Sequence, residues 1–300
     1  MLQFGLYLEQ VNLMAKINWF PGHMAKARRQ ISEIIPKIDV VIEVLDARIP
    51  HSSMNPILTK VRRDKPVLRL LSKADLADPE ITEKWRSHLQ QEKNIFVVPI
   101  VMSDKKQLSR IPDYCRQLAP HRGGLAKPVR SVVVGIPNVG KSTLINGLAG
   151  KKVARVGDEP AVTRNQQRIQ IAQDFTLMDT PGIMWPSPES ELGGYRLAAS
   201  GAIRDTAVEY EDIALFTIDY LSQRYPEALI QRYKLTDIPD TAMSCMEAIA
   251  RKRACVRGKE VDWHKVSEIV LKDFRSGALG QISLEEPGHE IPYRDLLLDQ

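Results

Sequence analysis

Gly135-Ile-Pro-Asn-Val-Gly-Lys-Ser-Thr143 is the stretch that most restricts what this 300-residue chain can become. The apolar run Ser131-Val-Val-Val134 precedes it and Leu144-Ile145-Asn146-Gly147-Leu148 follows, so it reads as a loop between a buried strand and a helix. That is the setting a G-x-x-x-x-G-K-[ST] phosphate-binding loop requires, and every fixed position of the pattern is matched. Glycines at 135 and 140 let the backbone turn with its N–H groups inward, and the following helix adds the positive end of its dipole. A polyphosphate would be held largely by main chain, with Asn138, Val139, Gly140, Lys141, Ser142 and Thr143 as the binding set. Lys141 would reach the β- and γ-phosphates, and the Ser142 hydroxyl would bind Mg²⁺.

The surrounding pattern agrees with an α/β sheet. Apolar runs at 38–45, 65–71 and 94–100 read as strands, with a helix from 79 to about 91 between the last two. Strands at 167–172 and 175–178 follow the phosphate loop, and alternation at this spacing predicts a doubly wound, mostly parallel sheet. Asp46, Asp75, Gly135 and Asp179 all stand at the carboxyl ends of strands, where such sheets collect their binding residues. After Trp185-Pro-Ser-Pro188 the strand signals stop, and helical spacing takes over at 202–225, 226–234, 241–254 and 262–274. In the last of these, Trp263, Val266, Val270 and Phe274 form an apolar stripe extended by Ile269, which reads as core.

Composition narrows the class further. With 43% hydrophobic and 26% charged residues the chain is of ordinary globular make-up. Its three cysteines form no C-x-x-C pair, which points to a reducing compartment without disulfides or structural zinc. There is no apolar run long enough to span a membrane, and the N-terminus lacks the basic start and cleavage site of a signal peptide, so a cytoplasmic location is expected. Residues 1–15 are expected to be an N-terminal extension, and Met14 offers an alternative start. The net charge of +5 is modest, but Arg251, Lys252, Arg253, Arg257, Lys272 and Arg275 cluster, and a basic cluster suits a polyanion such as nucleic acid. Residues 286–300 form an acidic tail.

The nucleotide is read elsewhere than in the loop. Asp179-Thr-Pro-Gly182 supplies a carboxylate to assist Mg²⁺ and a backbone N–H for the γ-phosphate, and Thr163 lies in a polar loop suited to closing over both. Guanine selectivity needs a carboxylate for the base N1–H and exocyclic amine. Asp75 in Ser72-Lys-Ala-Asp75 fits the N-K-x-D pattern, Lys73 laying its stem along the ring and Ser72 standing where Asn is usual. A metabolic kinase or ATPase could share the phosphate loop, but Asp75 counts against it. The order is unusual, because this base motif precedes the phosphate loop instead of following Asp-x-x-Gly. Joining the old termini and opening new ones changes chain order without moving the strand ends.

With Asn18-Trp-Phe-Pro-Gly-His-Met-Ala-Lys26, Asp46-Ala-Arg-Ile-Pro50 and Asp273-Phe-Arg-Ser-Gly-Ala-Leu-Gly280 added, the chain resembles the circularly permuted GTPases of the YlqF/RbgA family, the bacterial ribosome biogenesis GTPase A. The resemblance implies an α/β fold: a circularly permuted P-loop GTPase domain at 16–200, then a smaller all-helical, RNA-binding domain at 201–285. It also implies GTP or GDP with Mg²⁺, a K⁺ held by Asn138, and action in late maturation of the large ribosomal subunit. The helical domain would contact ribosomal RNA, the particle would stimulate a slow GTPase, and the protein would act as a monomer. Ile183 stands where many GTPases carry the Gln that orients the attacking water, and it can neither donate nor accept. The family assigns that role to the His of the Trp-Phe-Pro-Gly-His motif, here His23. Hydrolysis would thus rest on His23, Lys141, Thr163 and Gly182, and Mg²⁺ on Ser142, Thr163 and Asp179. A nucleotide-gated RNA-binding scaffold with little turnover of its own is the competing expectation.

Overall fold

The computed structural model describes residues 32–55, 58, 62, 64–153, 167–179, 191–203 and 209–289. Strand β1, Val40–Asp46, is buried along its whole length. Val40, Ile42 and Val44 join one core cluster, whereas Val41 and Leu45 join another on the opposite face. Such two-sided burial marks an interior strand of a parallel sheet. After a short helix α1, Pro50–Ser53, the chain forms β2, Val67–Ser72, helix α2, Pro79–Leu89, and β3, Ile95–Ile100. Helices α3, Lys105–Ser109, and α4, Ile111–Leu118, lead to β4, Val129–Val134, and then α5, Lys141–Ala149. Strands β5, Gln167–Ala172, and β6, Phe175–Asp179, complete a six-stranded sheet of order β3-β2-β1-β4-β6-β5. All neighbouring pairs are parallel except the edge pair β5/β6.

Helix α2 supplies Ile81, Trp85 and Leu89 to one face of the sheet. The other face receives Leu108, Ile111, Cys115, Leu144 and Ile145 from α3, α4 and α5. From β1 the chain winds outward through β2 to β3, then returns to β4 beside β1 and winds the other way. The reversal leaves a crevice at the carboxyl ends of β1 and β4, the place where open α/β sheets bind ligands.

The remainder is helical: α6, Glu191–Ala199; α7, Tyr210–Arg224; α8, Pro226–Tyr233; α9, Ala242–Lys252; and α10, Trp263–Ser276. Helix α7 is buried without a break from Ile213 to Leu221 and packs against α6, α8, α9 and α10, as a helix buried on every side must. The stripe on α10 is core as expected, with Val266, Val270 and Phe274 buried. The same buried cluster runs from the sheet into these helices, so the expected boundary near residue 201 is not a gap in the core. The expectation of an all-helical second part needs one correction. A small antiparallel ribbon, β7 at Val256–Arg257 and β8 at Glu260–Val261, links α9 to α10, because Gly258, at φ 64°, lets the chain turn back there. Among the described residues no helix is long and apolar enough to cross a membrane.

Candidate nucleotide site

The phosphate loop leaves β4 at the crevice, and its backbone explains its glycines. Gly135 has φ 153°, and a Cβ there would lie 2.5 Å from the Val44 carbonyl oxygen of β1. Gly140, at φ 99°, caps α5 in the left-handed region. The first turn of α5 directs its N–H groups into the same space, which is the general basis of anion binding at a helix start. Lys141 is 92% buried, being 8% exposed, and its ammonium donates to the Ile136 carbonyl at 2.6 Å, which keeps it inside the loop it serves. Ser142 is partly buried and Thr143 exposed. Asn138 takes a left-handed φ of 59° and donates its side-chain amide to the Gly201 carbonyl at 2.9 Å. That bond fixes the amide orientation and joins the phosphate loop to the end of α6.

The base motif stands two strands away, at the end of β2. Ser72 is fully buried, with its hydroxyl 2.7 Å from the Val139 carbonyl and 2.8 Å from that of Leu45. A serine in the place of the usual asparagine therefore still ties the base motif to the phosphate loop. Lys73 has a left-handed φ of 56°, and its ammonium meets the Asp46 Oδ2 at 2.8 Å. Arg48 closes on the same carboxylate, Nε to Oδ1 at 2.9 Å and Nη2 to Oδ2 at 2.8 Å. Burial alone would raise the Asp46 carboxyl, but Arg48 and Lys73 together hold it far below the usual carboxylate range. Burial also depresses the Lys73 ammonium, with Asp46 opposing that fall and Arg48 adding to it. Asp75, two residues on, is exposed at the mouth of the crevice. The segment after β3 completes the wall, since a Cβ on Gly140 would touch the Met102 side chain at 3.4 Å.

Asp179 ends β6, and the pairing of Val132 with Met178 sets it level with the last turn of β4 into the phosphate loop. His23, Thr163, Gly182 and Ile183 lie outside the described residues. The groups present suit a magnesium nucleotide: a hydroxyl oxygen at the start of α5, a loop that admits no Cβ at Gly135, and an ammonium already inside the cradle.

The basic cluster is smaller on the surface than in the sequence. Arg251, Lys252, Arg257 and Lys272 are exposed. Arg253 is partly buried against the Tyr233 ring and donates to the Arg232 carbonyl, while Arg275 donates to the carbonyls of Ala198 and Ala199. Those two arginines hold the fold together, which corrects their expected place on a polyanion-binding face.

Two functional features escaped the sequence. One is the clamp of Arg48 on Asp46, although a charged pair directly after a buried strand was a visible signal. The other is Glu285, the last residue of the expected helical domain, just before the acidic tail. It is 4% exposed and accepts from the backbone N–H groups of His51, at 2.7 Å, and Ser52.

The family model for the RsgA GTPase matches residues 24–187, more than half of the chain, and that for the 50S ribosome-binding GTPase matches residues 130–251. Ribosome biogenesis GTPase A of Priestia megaterium is 43% identical over 280 residues, covering 90% of this chain and 97% of that protein. The mitochondrial ribosome-associated GTPase 1 of Mus musculus is 33% identical over 291 residues, covering 89% of each. Among solved structures, GNP-bound YlqF from T. maritima superposes with a TM-score of 0.62 at 25% identity, covering 89% of this chain and 100% of that one. A GDP-bound structure of TM YlqF gives 0.64 at 25% identity, with 87% and 100% covered. A phosphate loop and a base motif that meet at one sheet crevice in permuted order, on a chain matched along nearly its whole length by these proteins, place it in the ribosome biogenesis GTPase A family, as a guanine-nucleotide-binding GTP hydrolase.

Proposed function

We propose that the chain acts as a monomeric cytoplasmic factor in late maturation of the large ribosomal subunit, hydrolysing GTP slowly until the particle stimulates it. The observation that supports this most is the contact of Ser72 with Val139, which ties the base motif to the phosphate loop across the crevice. In this reading Asp75 accepts from the guanine N1–H and exocyclic amine, the Lys73 stem lies along the ring, and Asn138, Val139, Gly140, Lys141, Ser142 and Thr143 wrap the phosphates. Ser142, Thr163 and Asp179 serve Mg²⁺. The Asn138 amide, oriented by its bond to Gly201, presents its oxygen to K⁺. His23 positions the attacking water, which Ile183 cannot do. Gly182 bonds the γ-phosphate. Arg251, Lys252, Arg257 and Lys272, exposed on the helical part, contact ribosomal RNA through its phosphates.

The test is GTP turnover with and without purified large ribosomal subunits, in K⁺ and in Na⁺, for the wild type and for His23→Ala. Subunits should raise turnover at least tenfold in K⁺ and little in Na⁺. In His23→Ala the rise should disappear while GTP affinity stays within about threefold, because only transition-state positioning is lost. Ile183 favours a second reading, a nucleotide-gated RNA-binding scaffold. A chain that binds GTP and subunits yet shows no stimulated turnover in either salt would replace the GTPase-switch reading with that one.

A further inference from the structure

No residue of the Asp46-Ala-Arg-Ile-Pro50 segment has a role in the proposed function, yet its carboxylate is held by Arg48 and Lys73 at once. Asp46 is 1% exposed and Arg48 is also 1% exposed. Arg48 donates to Asp46 three times, from its backbone N–H at 3.1 Å, from Nε and from Nη2. The arginine is itself fixed from behind. Its guanidinium lies 4.9 Å from the centre of the Phe274 ring on α10, and its carbonyl accepts from the Leu284 N–H at 2.8 Å. The charge on Asp46 is thus neutralised, and its orientation set, before Lys73 is counted.

Lys73 adds a second cation to a carboxylate that already has one, and it does so from a left-handed backbone that a lysine rarely adopts. A purely structural pair needs neither the strain nor the surplus charge. The geometry supplies another reason. Asp46 is the register partner of Ser72, so the Lys73 ammonium reaches from the loop after β2 to the end of β1, and β4 with its phosphate loop is the next strand over. Its stem is therefore laid across the crevice between the exposed Asp75 and the phosphate loop, with its side chain 25% exposed. A purine held by Asp75 with its phosphates in that loop has to cross this stem.

We propose that Asp46, clamped by Arg48, is a positioning residue for the guanine nucleotide: it anchors the Lys73 ammonium so that the lysine stem forms a fixed apolar floor under the base. The proposal rests on the assignment of Lys73 and Asp75 to the base site. It follows that Asp46 contributes to ligands that carry a base and not to ligands that carry phosphates alone.

The experiment measures equilibrium binding of Mg-GDP, Mg-ADP and Mg-tripolyphosphate by the full chain in four forms: wild type, Asp46→Asn, Lys73→Met and the double variant. Asp46→Asn should raise the Kd for GDP about tenfold and leave that for tripolyphosphate within twofold. Lys73→Met should do the same. In the Lys73→Met background Asp46→Asn should add less than twofold, because one residue acts through the other. If Asp46→Asn does not fold by circular dichroism, Asp46→Asn with Arg48→Met removes the uncompensated charge and takes its place in the comparison. An unchanged GDP affinity overturns the positioning role, as does an equal loss for tripolyphosphate or full additivity with Lys73→Met. A wild type that binds ADP as well as GDP overturns the base assignment itself, and the proposal with it.

Discussion

Asp212 sits in the first turn of α7, partly buried, just after Glu209 and Glu211. Burial first, and then the two glutamates, push its carboxyl up from 3.8 to about 6. The folded protein therefore holds this proton more tightly than the unfolded chain does. The linked destabilisation is absent below pH 3.8, grows as pH rises towards 6, and is complete above it. Asp212→Asn should accordingly stabilise the protein by roughly 1 kcal/mol at pH 8 after allowance for solvent screening, and by nothing measurable near pH 4. Urea unfolding of both forms at the two pH values checks this, and a gain independent of pH would refute the cause given. Asp46 behaves in the opposite sense, since two cations outweigh its burial. Position in a cluster, and not burial alone, decides the direction.

Strands β1 and β2 carry an ion pair inside the sheet. Glu43 and Arg69 are register partners, both nearly inaccessible, and Arg69 Nε donates to Glu43 Oε2 at 2.8 Å while its other nitrogens reach Glu92 beyond α2. Both side chains lie on the face that α2 covers, next to Val41, Leu45, Val67 and Leu71. Removing Arg69 leaves Glu43 buried and uncompensated, whereas removing Glu43 leaves Arg69 its pairing with Glu92. Arg69→Met should cost about 3–5 kcal/mol in chemical denaturation, whereas Glu43→Leu with Arg69→Met should cost far less, because no charge is then stranded inside the sheet. Equal losses in the two would show that packing, not charge, sets the energy. The loop that follows β4 is constrained in another way: the Val44 carbonyl stands where a Gly135 side chain would go, so the phosphate loop and β1 are closely packed.

At the scale of the whole molecule, the helical part is fastened to the sheet at several places around the nucleotide crevice. Leu284 and Ile282 donate backbone N–H groups to the carbonyls of Arg48 and Leu76, and the Trp85 indole donates to the Glu285 carbonyl at 3.0 Å. The Glu285 carboxylate caps the start of α1, taking the N–H groups of His51 and Ser52 together with the Ser52 hydroxyl, and Arg196 lies 3.8 Å away. The phosphate loop has its own link, Asn138 to Gly201, beside the carbonyls that Arg275 holds. Glu285→Ala should destabilise the protein by about 2–4 kcal/mol, since it strands the backbone N–H groups of a helix start and the Ser52 hydroxyl. Glu286→Ala breaks only the solvent-facing pairs with Lys84 and Arg224 and should cost under about 1 kcal/mol. Thermal and urea unfolding distinguish the two, and similar losses would count against the capping role.

What the sequence alone determined is local. The alternation of apolar runs and helical spacing, the glycines of the phosphate loop, the Lys-x-Asp of the base motif and the order of these motifs can all be read over short windows, because strand period, turn chemistry and motif spacing are properties of neighbouring residues. They sufficed for the sheet and the largely helical remainder, and they name the candidate guanine site. The partners across the fold were decided by tertiary structure. Asp46 meets Lys73 at a separation of 27 residues, Ser72 meets Val139 at 67, and Glu285 meets His51 at 234. Nothing near Glu285 distinguishes a buried cap from a solvated carboxylate, and nothing near Arg253 or Arg275 distinguishes a bolt between helices from a hand held out to RNA. Strand register and helix docking choose those partners, because a side chain's electrostatic role depends on what the folded backbone places beside it.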